Sequence, residues 1–299
     1  MSLRPRQKTV LVTGCSSGGI GHALCQKFQK QGLYVIATAR RDDVIAELVA
    51  EGFDALQLDV TSKESIAACH KQVQDRTGGR LDILVNNAGR IHISPATDLS
   101  MSDVRTTFET NVFGVMAMVK TFIDHIIAAR GLIINISSCA AVTPYMFASA
   151  YCASKGAIVS YSRTLRQELR PFGVRVMVAM AGTVKSNIAK KPQPCLAPDS
   201  LYSKMGDLYT RYLYLSQEEE ATDTDLFAKE LVSNALKPEG RLFGRPDWLW
   251  CGGMSRKVWW ALKLFGEWVI DWRTWEMFGL AKLQKIVEDE RLENDSKLN

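Results

Sequence analysis

The sequence predicts an α/β chain built on one doubly wound parallel sheet with helices on both faces. Three observations carry this prediction. Short apolar runs alternate with helical stretches from residue 9 to residue 180, the spacing of strand–helix–strand units. The runs are continuous rather than alternating, as in strands buried on both faces. The first run also passes straight into VTGCSSGGIG, residues 12–21, a glycine-rich turn ahead of a helix.

The elements follow in order. The first strand covers 9–13, and Gly14, Gly18, Gly19 and Gly21 come after it. A helix over 22–31 stops at Gly32, a helix-ending residue. The second strand is YVIATA, 34–39, with a helix over 44–50 behind it. A third strand at 55–58 precedes a helix over 63–75. The fourth strand, LDILV at 81–85, runs into Asn86, Asn87, Ala88 and Gly89. A long helical segment spans 103–129, and LIINI at 132–136 is the fifth strand. A helix over 151–169 and a sixth strand over 174–180 complete the pattern, which fades beyond residue 185. No internal repeat or low-complexity segment interrupts it.

Composition narrows the function. With 299 residues, 46% hydrophobic and 23% charged, the chain suits one large domain with a substantial core. The net charge of +5 is spread along the chain, without the basic stripe of a nucleic-acid binder. The seven cysteines form no C-x-x-C pair, and the four histidines sit near no cysteine cluster. No metal site and no disulfide framework is therefore expected, only reduced thiols as in a cytosolic chain. The basic start, MSLRPRQK, leads into an apolar run of strand length, too short for a signal-peptide core. No stretch of about 18 uncharged apolar residues is present, so no helix is expected to span a bilayer.

In a doubly wound sheet the ligand sits beyond the carboxyl ends of the strands. The loop from Gly14 to Gly21 stands there, and the N-terminus of the helix it opens favours an anion. Gly14 allows the tight turn. Gly18 or Gly19 lets backbone approach a pyrophosphate. Gly21 lets the helix pack on the sheet. The second strand ends in Ala39-Arg40-Arg41, where an NAD site wants an acid and an NADP site wants arginine. Arg40 fits a 2′-phosphate clamp with Arg41 in support, so NADP(H) is the expected cofactor. Asp59, after the third strand, suits the adenine amino group. Asn86, Asn87, Ala88 and Gly89 bring backbone to the cofactor after the fourth.

In SSCAAVTPYMFASAYCASK, 137–155, Tyr151 and Lys155 stand four apart at the start of a helix and share one face. A free phenol titrates near 10, too high for acid–base work near neutrality. Lowering it by ~3 units takes about 4 kcal/mol, which the Lys155 ammonium and a positive oxidised nicotinamide, as close charges in a partly dry site, can supply. Ser138 lies thirteen residues before Tyr151, placed to hold a substrate oxygen.

These pieces together resemble the short-chain dehydrogenase/reductase superfamily. They are the TGCSSGGIG loop, the NNAG tetrapeptide at 86–89, Asn111, Ser138 and the Tyr151–Lys155 motif, in family order over about residues 8–190. The resemblance implies a Rossmann fold and an oxidoreductase. It implies Tyr151 as general acid, Lys155 as the group that tunes it and binds the nicotinamide ribose, and Ser138 as the carbonyl-orienting hydroxyl. It implies Asn111 as a residue that kinks its helix and holds a relay water. Ser16, Ser17, Gly19, Ile20, Val184 and Ser186 are carried over as cofactor contacts, and a homo-oligomer through 103–129 and 151–169 is implied. The glycine loop carries one residue more than the usual TG-x-x-x-G-I-G, among Cys15 to Gly18. The usual proline-glycine after the sixth strand is Ala181-Gly182, a change expected to loosen the start of the substrate lid.

The glycine loop, the ATARR strand end and the Trp-rich tail also resemble fungal NADPH-dependent 1-acyldihydroxyacetone-phosphate reductases, a branch that includes natural-product relatives. The domain organisation read from this is one domain over 8–245, with a lid at about 187–220, then a Trp-rich helical extension with a polar tail over 246–299. In the lid region Leu201, Met205, Leu208, Tyr212 and Leu215 make one apolar helix face, as lid or as core. Lys190, Lys191 and Arg211 either meet a substrate phosphate or are solvated. All seven tryptophans fall between Trp248 and Trp275. In KVWWALKLFGEWVIDWRTW, Val258, Leu262, Phe265, Val269 and Trp272 form a stripe opposite Lys263, Glu267 and Asp271. Such a helix lies in a membrane interface, or packs on the lid or a second subunit. The resulting expectation is an NADPH-dependent carbonyl reductase of a small lipophilic substrate, lying peripherally on the cytoplasmic side of the endoplasmic reticulum or on lipid droplets. The alternatives are a reductase of fungal secondary metabolites, a cytoplasmic location, and a non-catalytic NADPH-binding protein that docks on membranes.

Overall fold

The computed structural model describes residues 7–186, 195–206, 208–210, 213, 220–238 and 244–298. Among these residues seven parallel strands form one sheet in the order β3-β2-β1-β4-β5-β6-β7. The strands are β1 Thr9–Val12, β2 Tyr34–Ala39, β3 Asp54–Gln57, β4 Ile83–Asn86, β5 Leu132–Ser138, β6 Arg175–Ala181 and β7 Trp248–Cys251. The helices between them are α1 Ile20–Lys30, α2 Asp42–Ala50, α3 Lys63–Thr77, α4 Met101–Phe108, α5 Gly114–Ala129, α6 Ser149–Leu169 and α7 Thr224–Ala235. Three more, α8 Ser255–Phe265, α9 Glu267–Met277 and α10 Leu280–Leu298, follow β7.

The doubly wound arrangement follows from the pleat. Successive strand residues point to opposite faces, so Val10 and Val12 enter one core while Leu11 enters the other. Ile83 and Val85 part from Leu84 in the same way. The first core takes Leu24 and Phe28 of α1, Leu48 of α2, and Phe227 and Leu231 of α7. The second takes Val73 of α3, Met118, Phe122 and Ile126 of α5, and Leu165 of α6. The stretch Met101–Ala129 is long and apolar enough on composition to cross a bilayer. Here Met118, Phe122 and Ile126 are fully buried against the sheet, which makes this a core helix.

Three expectations are corrected. The long helix over 103–129 is interrupted by a π turn at Glu109–Phe113. The division at 245/246 cuts the sheet, because β7 at Trp248–Cys251 pairs with β6 from Val178 to Ala181. Trp248 and Trp250 therefore belong to a strand, and the Arg166 guanidinium lies 5.5 Å from the Trp248 ring. The Trp-rich stretch is two helices, broken at Gly266 with φ 79°, and its stripe turns accordingly. Phe265 and Trp272, taken as one face with Val258, are more than half exposed.

The lid region packs differently from the stripe read off the sequence. Met205, Tyr209 and Leu213 are buried at steps of four, whereas Leu201 is exposed. Lys190, Lys191, Arg211, Tyr212 and Leu215 lie outside the described residues. Tyr209 donates its hydroxyl to Ile93 O at 3.0 Å and meets Phe147 edge-on at 5.3 Å. Phe278, just past α9, joins the same cluster. The substrate side of the sheet is thus closed by segments from three parts of the chain.

Candidate active site

The parallel strands bring their carboxyl ends to one rim, where a cavity of about 830 Å³ opens. Its lining runs from the glycine loop past the ends of β2 to β6 and on to α8 and α9. At the near end Gly14 holds φ +74°, and a Cβ there would meet Ala88 Cα at 2.9 Å. A Cβ on Gly21 would stand 2.4 Å from Gly14 O and 2.6 Å from Asn87 Nδ2. Asn87 donates that amide to Thr13 O at 2.9 Å and Gly14 O at 3.0 Å. Loop, helix and β4 end are therefore closed on one another. Gly19 caps α1 without a side chain, leaving first-turn N–H groups for an anion. This cradle fits the pyrophosphate of a dinucleotide.

Gly14, Ser16, Gly19, Ile20, Arg40, Asp59, Asn87, Ala88, Gly89, Val184 and Ser186 all line the cavity. Ser17, Gly21 and Arg41 do not. The Ser17 hydroxyl donates to Glu47 Oε2 at 2.8 Å. Gly21 serves the packing just described. Arg41 turns to an ion pair with Asp43, which leaves Arg40 without its expected support. Arg40 itself is in no ion pair among the described residues. Asp59 Oδ1 accepts from Thr61 N at 2.9 Å and Thr61 Oγ1 at 2.7 Å, so one carboxylate oxygen is already committed. Asn86 points away from the cavity and donates to Asn135 Oδ1 at 2.8 Å.

At the far end of β5, Ser138 faces the first turn of α6. Burial pushes the Tyr151 phenol up to about 12, while a hydrogen bond with Ser138 pulls the other way. The surroundings made by the chain alone thus raise the phenol's pKa. Near neutrality it carries its proton, the form a general acid needs. Burial pushes Lys155 down to about 8, so its ammonium survives at neutral pH. Lys155 Nζ donates to Ile136 O at 2.8 Å and lies 5.7 Å from the Tyr151 ring centre. Ser137 is spent on structure, donating to Lys155 O at 3.1 Å.

Asn111 stands in the π turn Glu109–Phe113, and such turns gather at functional sites. Its amide donates to Arg90 O at 2.8 Å and Ser154 Oγ at 3.0 Å. Its oxygen accepts from Arg90 N at 2.8 Å. Ser154 in turn donates to Tyr151 O at 2.7 Å. Asn111 therefore ties the Gly89–Arg90 backbone to the turn of α6 that bears Tyr151.

Backbone hydrogen bonds hold the segment just after β6, while the start of the lid at 187 lies outside the described residues. Thr183 N donates to Gly253 O at 2.9 Å, Gly253 N returns to Thr183 O at 3.0 Å, and Thr222 N donates to Thr183 O at 3.1 Å. Sequence reasoning also missed the far wall. Val258 of α8 and Ile270, Arg273, Thr274 and Met277 of α9 line the cavity, as does Tyr145. The spacing 270, 273, 274, 277 was a readable signal of one helix face, hidden because the stretch was taken as one unbroken helix.

Residues 8–195 match the family model described as short chain dehydrogenase. The chain belongs to the short-chain dehydrogenase family. It is 37% identical over 279 residues to the short-chain dehydrogenase srdE of Neurospora crassa, covering 93% of this chain and 94% of that one. It is 38% identical over 259 residues to the NADPH-dependent 1-acyldihydroxyacetone phosphate reductase of Schizosaccharomyces pombe, covering 83% and 87%. Among solved structures, a short-chain dehydrogenase from Streptomyces avermitilis superposes with a TM-score of 0.76 at 28% identity, over 94% of this chain and all of that one. The closed form of serine dehydrogenase complexed with NADP+ gives a TM-score of 0.68 at 28% identity, over 83% and 95%. The protein is an oxidoreductase of the short-chain dehydrogenase family.

Proposed function

We propose that this short-chain dehydrogenase is an NADPH-dependent carbonyl reductase of a lipophilic substrate. The observation that carries the reading is Ser138, Tyr151 and Lys155 set together in a cavity whose far wall is Val258, Ile270 and Met277. In this reading Ser138 orients the carbonyl oxygen. The Tyr151 phenol gives that oxygen its proton, and the Lys155 ammonium steadies the phenolate left behind. Bound NADPH supplies the hydride. Gly14, Ser16, Gly19 and Ile20 would hold its pyrophosphate and Arg40 its 2′-phosphate.

The activity of the S. pombe relative supports 1-acyldihydroxyacetone phosphate as the first substrate to try. The apolar wall supports a second reading, a keto or hydroxyl group on a terpenoid or polyketide of secondary metabolism. NADPH consumption against an acyldihydroxyacetone phosphate, a steroid ketone, a terpenoid ketone and a quinone tests both. Turnover of none of them would count against the reductase reading.

Arg40→Asp is expected to weaken NADPH about tenfold or more, the loss of a charge-assisted contact, and NADH far less. Equal weakening of the two dinucleotides would reject the 2′-phosphate role.

The same proposal places the protein peripherally on the cytoplasmic side of the endoplasmic reticulum or on lipid droplets. While one face of α8 and α9 lines the cavity, the other bares Trp260, Leu264, Phe265, Trp268, Trp272 and Trp275. Tryptophan favours the membrane–water boundary. The wild-type protein is expected to float with phosphatidylcholine liposomes, and a Trp268→Ser/Trp272→Ser variant to stay in the soluble fraction. A wild-type protein that ignores liposomes defeats this placement. Point variants are needed because a chain ending near residue 245 would lose β7. A homo-oligomer through α5 and α6 completes the reading, and sedimentation of the purified protein tests it.

A further inference from the structure

We propose that Arg273 is the anion-recognising residue of the substrate half of the cavity, so that the substrate is an apolar carbonyl compound bearing one phosphate or carboxylate. The inference rests on the reductase reading for the word substrate, though not for the binding itself. Helix α9 turns Ile270, Arg273, Thr274 and Met277 toward the cavity. Three are apolar or neutral, and the fourth is a guanidinium.

The other charges on the cavity wall near the catalytic end are accounted for within the chain. Arg90 pairs with Asp103 at 3.0 Å. Glu220 pairs with Lys257 at 2.6 Å. Lys155 donates to Ile136 O at 2.8 Å. Arg273, an exposed residue on the cavity wall, is in no ion pair among the described residues, even though Glu276 stands three residues further along the same helix. Only Arg40 shares this condition among the arginines of the wall, and the two stand on different parts of it. Arg40 follows β2 beside the cofactor cradle. Arg273 belongs to the helix whose C-terminal end carries Met277 and Phe278 into the cluster with Ile93, Tyr145 and Phe147, the segment that leads into Tyr151. Phe278 meets the Tyr145 ring edge-on at 6.4 Å.

A guanidinium beside apolar wall is a fork of donors matched to the paired oxygens of a carboxylate or phosphate. The flanking Ile270 and Met277 offer room for a hydrocarbon chain next to it. Such a site reads an amphiphile, with its apolar body against α9 and its charge on Arg273.

The test is calorimetric titration of the full chain with octyl phosphate, octanoate and octanol, in wild type and in Arg273→Gln and Arg273→Lys. At least one anion is expected to bind wild type about 10- to 100-fold more tightly than octanol, the size of a charge-assisted contact. Arg273→Gln should erase that preference and Arg273→Lys restore part of it. A preference confined to octyl phosphate assigns a phosphate ester, and one confined to octanoate assigns a carboxylate. Equal binding of all three by wild type, or a preference that survives in Arg273→Gln, overturns the proposal. Wild-type turnover of the carbonyl panel is read separately. Turnover with no Arg273-dependent binding overturns this inference alone, and Arg273-dependent binding without turnover overturns the reductase reading alone.

Discussion

Replacing Tyr151 by Phe is expected to lower carbonyl reduction by about 10²- to 10⁴-fold, the usual contribution of a general acid, with NADPH affinity kept. Phenylalanine keeps the ring and its packing and removes only the hydroxyl. The proton that the phenol would give to the substrate oxygen then has no donor, and the Lys155 ammonium has no phenolate to steady. The same variant separates an enzyme from a dinucleotide-binding docking protein. Its turnover should collapse while titration with NADPH still shows binding. Undiminished turnover in Tyr151→Phe would show that another group does the acid chemistry.

Gly182→Ala should be among the most damaging single methyls in the chain's substrate half. A Cβ there would lie 1.8 Å from Gly253 O and 3.0 Å from Ser255 N, and neither is the movable end of a side chain. Relieving the clash would open the lattice that joins Thr183 to Gly253 and Thr222. The cost expected is about 3 kcal/mol, the upper range for overpacking. For a chain of this size that lowers Tm by roughly 5 °C. Activity should fall with it, because Ala181 and Val184 on either side line the cavity. Gly206→Ala is the control, since a Cβ there meets nothing within 4 Å. A melting curve of Gly182→Ala within a degree or two of wild type would mean that the backbone lattice yields easily.

The first six strands were legible because each is a continuous apolar run followed by a helix that buries one stripe. The cofactor cradle was legible because glycines, Arg40 and Asn87 sit at strand ends, where local sequence dictates position. The seventh strand was hidden. WLWC is four residues long and stands among tryptophans that look like one amphipathic helix. Its partner is seventy residues upstream, at Val178↔Trp248, and no local pattern announces so distant a pairing. Ser17 and Arg41 were drawn away by Glu47 and Asp43, side-chain choices that only three-dimensional neighbours decide. The burial of the Tyr151 phenol is likewise set by three-dimensional neighbours. Four-residue spacing showed that Lys155 was near, but not that the phenol would be buried, with the Ser138 hydrogen bond acting against that burial.

The position of β7 also bears on how the chain comes to be folded during synthesis. Until residues 248–251 have left the ribosome, β6 presents its outer row of N–H and C=O groups with no strand to meet them. Such an open edge invites pairing with another chain, and partly made α/β proteins are prone to that kind of misassembly. The cradle for the dinucleotide is encoded in the first third of the chain and can form early. The far wall of the cavity comes last. A nascent chain arrested before β7 would therefore gain less protection from the cofactor than from the few residues that close the sheet.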